Sequence, residues 1–387
     1  MKESTNHRLR VLFLSSWYPS QEHRTLGNFV QRHAQAVAKL HDLSVIYATP
    51  YKKRGLPSDE IKEIKGVKEY IGYFPPGLNT IHKRKNTFLR LFNEYMKVNG
   101  APPDIVHLNV LYPAGNQARW LKKQFKIPFI VTEHWTGYHP EHKTKVRWDQ
   151  RRSMLKSGKE AAFIAPVSEQ LKASMEKWGI EGNYSVVPNV VDTVLFTPKK
   201  RPEETSKQNT ILHVSSLVDD HKNISGMMRA VKPILQENPK YHFRIIGDGN
   251  IKPYEALAKQ LNINENQFSI QGEQSLSNIA KAMQEADLFL MFSRYENLPC
   301  VILEAFACGV PVVSTDVGGI KEHLNEDRGI LVASEDEAGL TKAISDALKR
   351  SWNHEAISAY ANSHFSELAI AQNFTSLYLK ALGKDEA

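Results

Sequence analysis

The sequence predicts an α/β protein of two Rossmann-like, doubly wound parallel-sheet domains facing across a cleft, and three observations predict it. The chain has 387 residues, more than one hydrophobic core usually serves, so two domains are expected. Short apolar, β-branched runs alternate with amphipathic stretches through both halves, as in parallel sheets covered by helices on both faces. Between the halves, residues 197–209 (TPKKRPEETSKQN) are polar, hold two prolines and lack apolar periodicity, so they read as a linker. Two such units leave a crevice between them, a common place for a ligand.

The elements follow in order. In the first domain, residues 1–196, the strand-like runs are 10–15, 43–48, 104–108, 129–132, 162–166 and 184–187. In the second, residues 210–360, they are 210–214, 242–247, 268–271, 288–292, 311–314 and 329–332. The tail from 355 to 382 repeats Ala, Leu, Phe and Tyr at helical spacing. Its end, 361–387, is expected as a C-terminal helix packing back toward the N-terminal domain.

Composition narrows the class. Apolar residues make up 41% and charged residues 24%, ordinary for a globular protein and unlike a disordered or fibrous one. Two cysteines, Cys300 and Cys308, are too few for a disulfide framework, and their spacing on one helix forbids a bridge. The first ten residues are polar and the apolar run after them is too short for a signal peptide. No stretch approaches the roughly 20 apolar residues of a membrane span. A cytoplasmic location is therefore expected. Charge is uneven: residues 1–198 carry 30 basic and 17 acidic side chains, residues 199–387 carry 20 and 25. A basic first half suits an anionic partner such as a membrane surface or a lipid-linked acceptor, with peripheral contact at the inner membrane face. Its clusters are Lys52, Lys53 and Arg54; Lys83, Arg84 and Lys85; and Lys143, Lys145, Arg147, Arg151 and Arg152. A solvated face of scattered lysines explains them equally well. No nucleic-acid-binding module is recognisable.

The most informative stretch is residues 288–324, LFLMFSRYENLPCVILEAFACGVPVVSTDVGGIKEHL. A buried strand leads through a polar turn into a helix opened by Pro299 and stopped by Gly309 and Pro311. A helix N-terminus just past the carboxyl end of a parallel strand is an anion site, with the amides of Leu298, Cys300 and Val301 as donors. Glu296 precedes those donors, where it can accept hydrogen bonds from sugar hydroxyls. Glu304 lies inside the helix, where a carboxylate can take both hydroxyls of a ribose or simply be a surface charge.

This segment resembles the E-x7-E region of the family 4 retaining glycosyltransferases. Glu296 and Glu304 match its glutamates, and Ala305, Gly309, Pro311, Gly318, Gly319 and Glu322 match their companions. Other pieces follow in family order: residues 25–40 (TLGNFVQRHAQAVAKL), 103–109 (PDIVHLN), 131–135 (VTEHW), 165–171 (APVSEQL), 186–198 (VVPNVVDTVLFTP), 213–223 (HVSSLVDDHKN) and 245–250 (IIGDGN). The resemblance spans about nine-tenths of the chain. It implies the GT-B fold and a donor site for a nucleotide sugar, most simply a UDP- or GDP-sugar, in the second domain. A glycan or lipid-linked acceptor would bind the first, and the setting would be surface polysaccharide or glycolipid biosynthesis.

Carried over residue by residue, the resemblance implies that Lys222 holds the donor diphosphate and Glu304 the ribose. Glu296 would position the transferred sugar with the backbone of Asn297 and Leu298. Ser216 and Gly247 would join the donor site, the Gly247 turn and residues 268–272 facing the base. Gly27 and Asn28 would lie on the loop that approaches the diphosphate, and His134 near the anomeric carbon, unless it is a structural strand-end histidine. Where the family has Gly-Arg ahead of the lysine, this chain has Ser215 and Ser216; Arg294 or His221 could replace that cation. Trp17, Tyr18, Trp135, Tyr138 and His139 follow strands and are expected as acceptor-stacking aromatics or cleft packing. No DxD triplet follows a strand, so metal independence is expected, with retention by front-face attack. Two alternatives remain: a nucleotide-sugar 2-epimerase, distinguished by products formed from donor alone, and a catalytically weak binding subunit, distinguished by the absence of donor turnover.

Overall fold

The computed structural model describes residues 8–139, 145–198 and 209–384. Most of the 197–209 linker, together with Lys143, lies outside the described residues. The chain divides into two compact units, residues 1–190 with 367–387, and residues 191–366.

The first unit holds a seven-stranded sheet of β1 (Arg10–Ser15), β2 (Asp42–Pro50), β3 (Glu60–Ile64), β4 (Val67–Phe74), β5 (Ile105–Asn109), β6 (Phe129–Glu133) and β7 (Phe163–Pro166), in the order β3-β4-β2-β1-β5-β6-β7. All neighbours are parallel except the β3–β4 hairpin. Register sets Val11 beside Leu43 and Ile105, so β1 lies at the centre with side chains buried on both faces. The second unit holds a parallel sheet of β8 (Asn209–Ser216), β9 (Tyr241–Asp248), β10 (Phe268–Gln271), β11 (Leu288–Met291), β12 (Val312–Thr315) and β13 (Gly329–Val332), in the order β10-β9-β8-β11-β12-β13. Among the parallel strands of each sheet the order reverses once, between β1 and β5 in the first and between β8 and β11 in the second. Ligands of open α/β sheets bind beyond the strand carboxyl ends at that reversal.

Each unit has its own apolar core, one centred on Phe13, Val45 and Ile130, the other on Ile211, Phe243 and Leu290. The helix Glu367–Ala381 completes the first core, its Ile370, Phe374 and Tyr378 joining Ala34 and Val37 of helix Asn28–Ala38. The tail is two helices rather than one. Helix His354–Phe365 ends at Ser366, whose extended backbone (ψ 155) breaks the helical path. The unit boundaries therefore fall at 190 and 366, not at 196 and 361. Val191 is tied to the second unit by its amide on the Phe365 carbonyl at 2.8 Å.

Two strand readings need correction. Residues 184–187 form only an isolated bridge, Tyr184 with Ile164, beside β7. The β3–β4 hairpin is absent from the sequence reading because β3 is a solvent-facing edge of Glu, Lys and Ile without a buried face. Its turn is Lys65-Gly66, both at positive φ (48° and 77°), the geometry of a two-residue hairpin loop. Among the described residues no helix is long and apolar enough to cross a membrane.

Candidate functional site

At the strand reversal of the second unit, two loops bring a cation and a carboxylate together. The short helix Asp219–Lys222 follows β8 and the turn 293–298 follows β11. Lys222 Nζ donates to Glu296 Oε1 at 2.5 Å, and both residues are more than nine-tenths buried. Burial pushes the Glu296 carboxyl upward, but Lys222 and His221 outweigh it and hold the group below its ordinary range. An ammonium carries three donors, so the bond to Glu296 leaves two hydrogens for other oxygens. The His221 ring stacks on Tyr295 at 4.1 Å and bonds the Tyr295 carbonyl through Nε2 at 2.7 Å.

The loops are laced together by a residue read from sequence only as a substitute phosphate cation. Arg294 donates to the Asp219 carbonyl (2.7 Å), to Asn223 Oδ1 (3.1 Å) and to Glu335 (2.7 Å), and its amide bonds the His221 carbonyl (2.9 Å). Its guanidinium is a structural clamp. The Glu296-Asn297 backbone is seated by Gly318 and Gly319: a Cβ on Gly318 would stand 2.0 Å from the Glu296 carbonyl oxygen, and the Gly319 amide bonds the Asn297 carbonyl. Gly318 also sits at φ +59, so this position is glycine for both space and conformation.

Helix Cys300–Ala307 starts beside this turn with Pro299 as its N-cap in extended conformation, one position before the first turn, and Gly309 (φ +70) ends it. Cys300 and Val301 occupy the first turn, Asn297 and Leu298 are buried just ahead of it, and the helix buries Glu304 to 2% exposure. A carboxylate buried to that extent is not the surface charge a lone helical glutamate usually is. Ser215 and Ser216 end β8. The Ser215 hydroxyl bonds His213 Nε2 (2.7 Å) while His213 Nδ1 donates to the Leu290 carbonyl (2.8 Å), and burial lowers the imidazole pKa to about 4. Gly247 is required by the close approach of β9, since a Cβ there would lie 2.0 Å from the Ser215 carbonyl oxygen.

In the first unit, His134 follows β6 with its ring against Phe29 (4.4 Å) and His33 (5.3 Å). Burial holds it well below the ordinary histidine pKa, so it is neutral at pH 7. Glu133, the last residue of β6, is the keystone of this loop. Its carboxylate accepts the amides of His134 (2.9 Å), Trp135 (3.0 Å) and Leu111 (3.0 Å) and the Tyr138 hydroxyl (3.1 Å). Burial nevertheless leaves its pKa raised. Gly27 caps helix Asn28–Ala38 at φ +75, and a Cβ would meet the Trp17 backbone at 2.5 Å, so its absence serves loop packing. Asn28 is exposed at the helix start.

The aromatic acceptor set is corrected in part. Tyr18 is fully buried and donates to Glu69 at 2.7 Å. Tyr138 is buried on Glu133, and His139 is buried with Nδ1 3.1 Å from Ser174 Oγ. Those three rings pack the unit and offer no face for a sugar. Trp17 and Trp135 are half-buried, edge-on to Phe29 (6.2 Å) and Tyr138 (5.0 Å) respectively.

Family models match both units, "Glycosyl transferases group 1" over residues 196–364 and "Glycosyltransferase Family 4" over residues 26–195. The chain belongs to the group 1, family 4 glycosyltransferases. It is 25% identical over 363 residues to a Bacillus subtilis (strain 168) protein described as a teichuronic acid biosynthesis glycosyltransferase, TuaC, covering 87% of this chain and 88% of that one. It is 25% identical over 303 residues to the N-acetyl-alpha-D-glucosaminyl L-malate synthase of Bacillus anthracis, covering 73% and 76%. Among solved structures, a sucrose-phosphate synthase from Thermosynechococcus elongatus superposes with a TM-score of 0.76 at 18% identity, covering 97% and 100%. Anabaena Alr3699/HepE, in complex with UDP and glucose, gives 0.71 at 17% identity, covering 95% and 99%. This glycosyltransferase thus has the GT-B fold, and the Bacillus subtilis relative is named for teichuronic acid biosynthesis. Nothing in the comparisons favours an epimerase.

Proposed function

We propose that this glycosyltransferase binds a UDP- or GDP-sugar in its second unit and transfers the sugar with retention, without a metal, to a glycan or lipid-linked acceptor. The observation that carries the reading is the buried Lys222–Glu296 pair at the β8/β11 reversal, one turn from the helix that buries Glu304. Lys222 and the first-turn amides of Cys300 and Val301 bind the diphosphate; Glu304 binds the ribose. Glu296 and the Asn297-Leu298 backbone hold the transferred sugar, and Ser216, the Gly247 turn and residues 268–272 face the base. HepE's complex with UDP supports a uridine donor, and the malate synthase relative supports an anionic acceptor.

In the transfer step, the bond from the acceptor oxygen to the anomeric carbon forms as the bond from that carbon to the phosphate oxygen breaks, on the same face. The departing phosphate oxygen takes the acceptor's proton. Lys222 and the helix dipole offset the charge gathering on the leaving diphosphate, which is where a cation lowers the barrier most. Glu133 is committed to four donors, which supports a route without a covalent intermediate on that carboxylate. The basic first half supports peripheral contact with an anionic membrane.

The test is donor turnover over a panel of UDP-, GDP- and ADP-sugars, with and without EDTA, and proton NMR of the product's anomeric configuration. Retained configuration, turnover indifferent to EDTA and loss in Lys222→Ala and Glu296→Ala support the proposal. Inverted product, a trapped glycosyl-enzyme adduct or full activity in both variants would overturn it.

A further inference from the structure

The first unit contains a cavity that the donor site does not use. It has a volume of about 250 Å³ and is lined by Ile81, Arg84, Lys85, Phe88, Tyr112 and Trp120 among others, with no carboxylate in its wall. A small second hollow shares Arg84, Phe88 and Gln117 with it and is lined by Ser15 at the end of β1, Ala48 in β2 and Ala114 after β5, so Arg84 stands between the cavity and the strand reversal of this sheet. That is where a ligand is expected.

Arg84 is the informative residue. Its guanidinium, partly buried, lies 5.4 Å over the Phe74 ring and makes one long hydrogen bond, Nε to the Ala48 carbonyl at 3.4 Å. Among the described residues no carboxylate pairs with it. Arg90, on the same helix (Thr80–Asn99), instead grips Asp59 through two nitrogens at 2.6 and 2.8 Å. Burial depresses the Arg84 pKa, the cost of holding a cation away from water without an anion. A guanidinium has five donors in a planar fork that fits phosphate oxygens, and here one donor is weakly used. Buried charges are ordinarily paired, so an unpaired one facing a cavity marks where an anion goes.

The remaining walls are apolar. Phe88 and Trp120 meet edge to face at 5.9 Å, and Ile81 stands at the mouth, 55% exposed, with Leu78 at 89% just before the helix. We propose that this cavity is the acceptor's anion subsite, in which Arg84, assisted by Lys85, binds the phosphate of a lipid-linked acceptor while Phe88, Trp120 and Ile81 bury the first carbons of its chain. The inference deepens the acceptor half of the proposed function and rests on it. The volume equals roughly eight waters at about 30 Å³ each, enough for a phosphate and a short length of chain but not a whole lipid. The rest of the chain leaves past Ile81 and Leu78. Each buried CH₂ strengthens binding roughly fourfold, so three or four of them separate a lipid phosphate from free phosphate by on the order of a hundredfold.

The experiment is isothermal titration of the full chain with farnesyl phosphate below its micelle concentration, inorganic phosphate and farnesol, for wild type, Arg84→Gln, Arg84→Lys and Trp120→Ala. Farnesyl phosphate should bind wild type on the order of a hundredfold more tightly than inorganic phosphate. Arg84→Gln should weaken it at least tenfold, Arg84→Lys less, and Trp120→Ala should weaken farnesyl phosphate but not inorganic phosphate. Unchanged farnesyl phosphate affinity in folded Arg84→Gln or Arg84→Lys would overturn the assignment, as would equal affinity of wild type for farnesyl and inorganic phosphate. UDP and GDP titrated in parallel keep the two readings apart. Nucleotide binding with failed farnesyl phosphate binding sinks only the subsite, whereas loss of nucleotide binding sinks the donor assignment itself.

Discussion

Replacing Lys222 by methionine leaves Glu296, 7% exposed, as a buried carboxylate without its ammonium. Breaking one side of a buried pair costs about 3–5 kcal/mol. For a unit the size of residues 191–366, each kcal/mol shifts the melting temperature by about 2–4 °C, so a fall of roughly 6–20 °C is expected at pH 7. The sign of its pH dependence is also set. In wild type the depressed Glu296 pKa contributes stability above the unfolded carboxyl value, lost as pH falls through the folded one. In the variant burial is opposed only by His221 and Ser293, so that pKa rises and the deficit should shrink as pH falls and the carboxyl takes a proton. Adding Glu296→Gln removes the stranded charge and should recover most of the stability, while donor turnover stays at least a hundredfold down because the diphosphate has lost its cation. Urea unfolding of the two single variants and the double variant, with turnover on the same samples, completes the cycle. Equal stability of wild type and Lys222→Met, or turnover restored in the double variant, would refute the reasoning.

Glu133→Ala strands three buried amides and a tyrosine hydroxyl, each worth about 1–3 kcal/mol when unsatisfied, so calorimetry should show a loss of several kcal/mol, smaller in Glu133→Gln, which keeps an acceptor. His213 is neutral in the folded state with a pKa near 4. The unfolded chain takes up that proton first, so stability complete above about pH 6.5 should decline toward pH 4 by about 3 kcal/mol from this ring. His213→Gln should flatten that slope in a urea series at pH 4–7, and an unchanged slope would exclude the ring as its source. Sedimentation with vesicles should show binding to anionic but not neutral lipid, released by salt above roughly 0.5 M; equal binding to both would remove the electrostatic argument.

The fold and the local frame of the candidate site were legible because they depend on local pattern. Apolar strands such as Leu288–Met291 announce themselves, and the helix begun at Pro299 and ended at Gly309 carries its own punctuation. Residue roles set by distant partners were not legible. Arg294 reads as a spare cation until Asp219, Asn223 and Glu335 surround it, and Tyr18 reads as a loop aromatic until Glu69, 51 positions later, takes its hydroxyl. Glu133 shows the limit of strand alternation: at the strand's last residue, the chain turns back over the carboxylate and its neighbours' amides reach it. The β3 edge escaped because an edge strand needs no buried face.

Hydrogen exchange with and without a saturating UDP- or GDP-sugar tests the central claim most directly. Slowed exchange at residues 216–223 and 297–304 is the predicted result, since the diphosphate would lie against Lys222 and the first amides of the following helix. Measurable donor binding that leaves both segments unprotected would contradict the account.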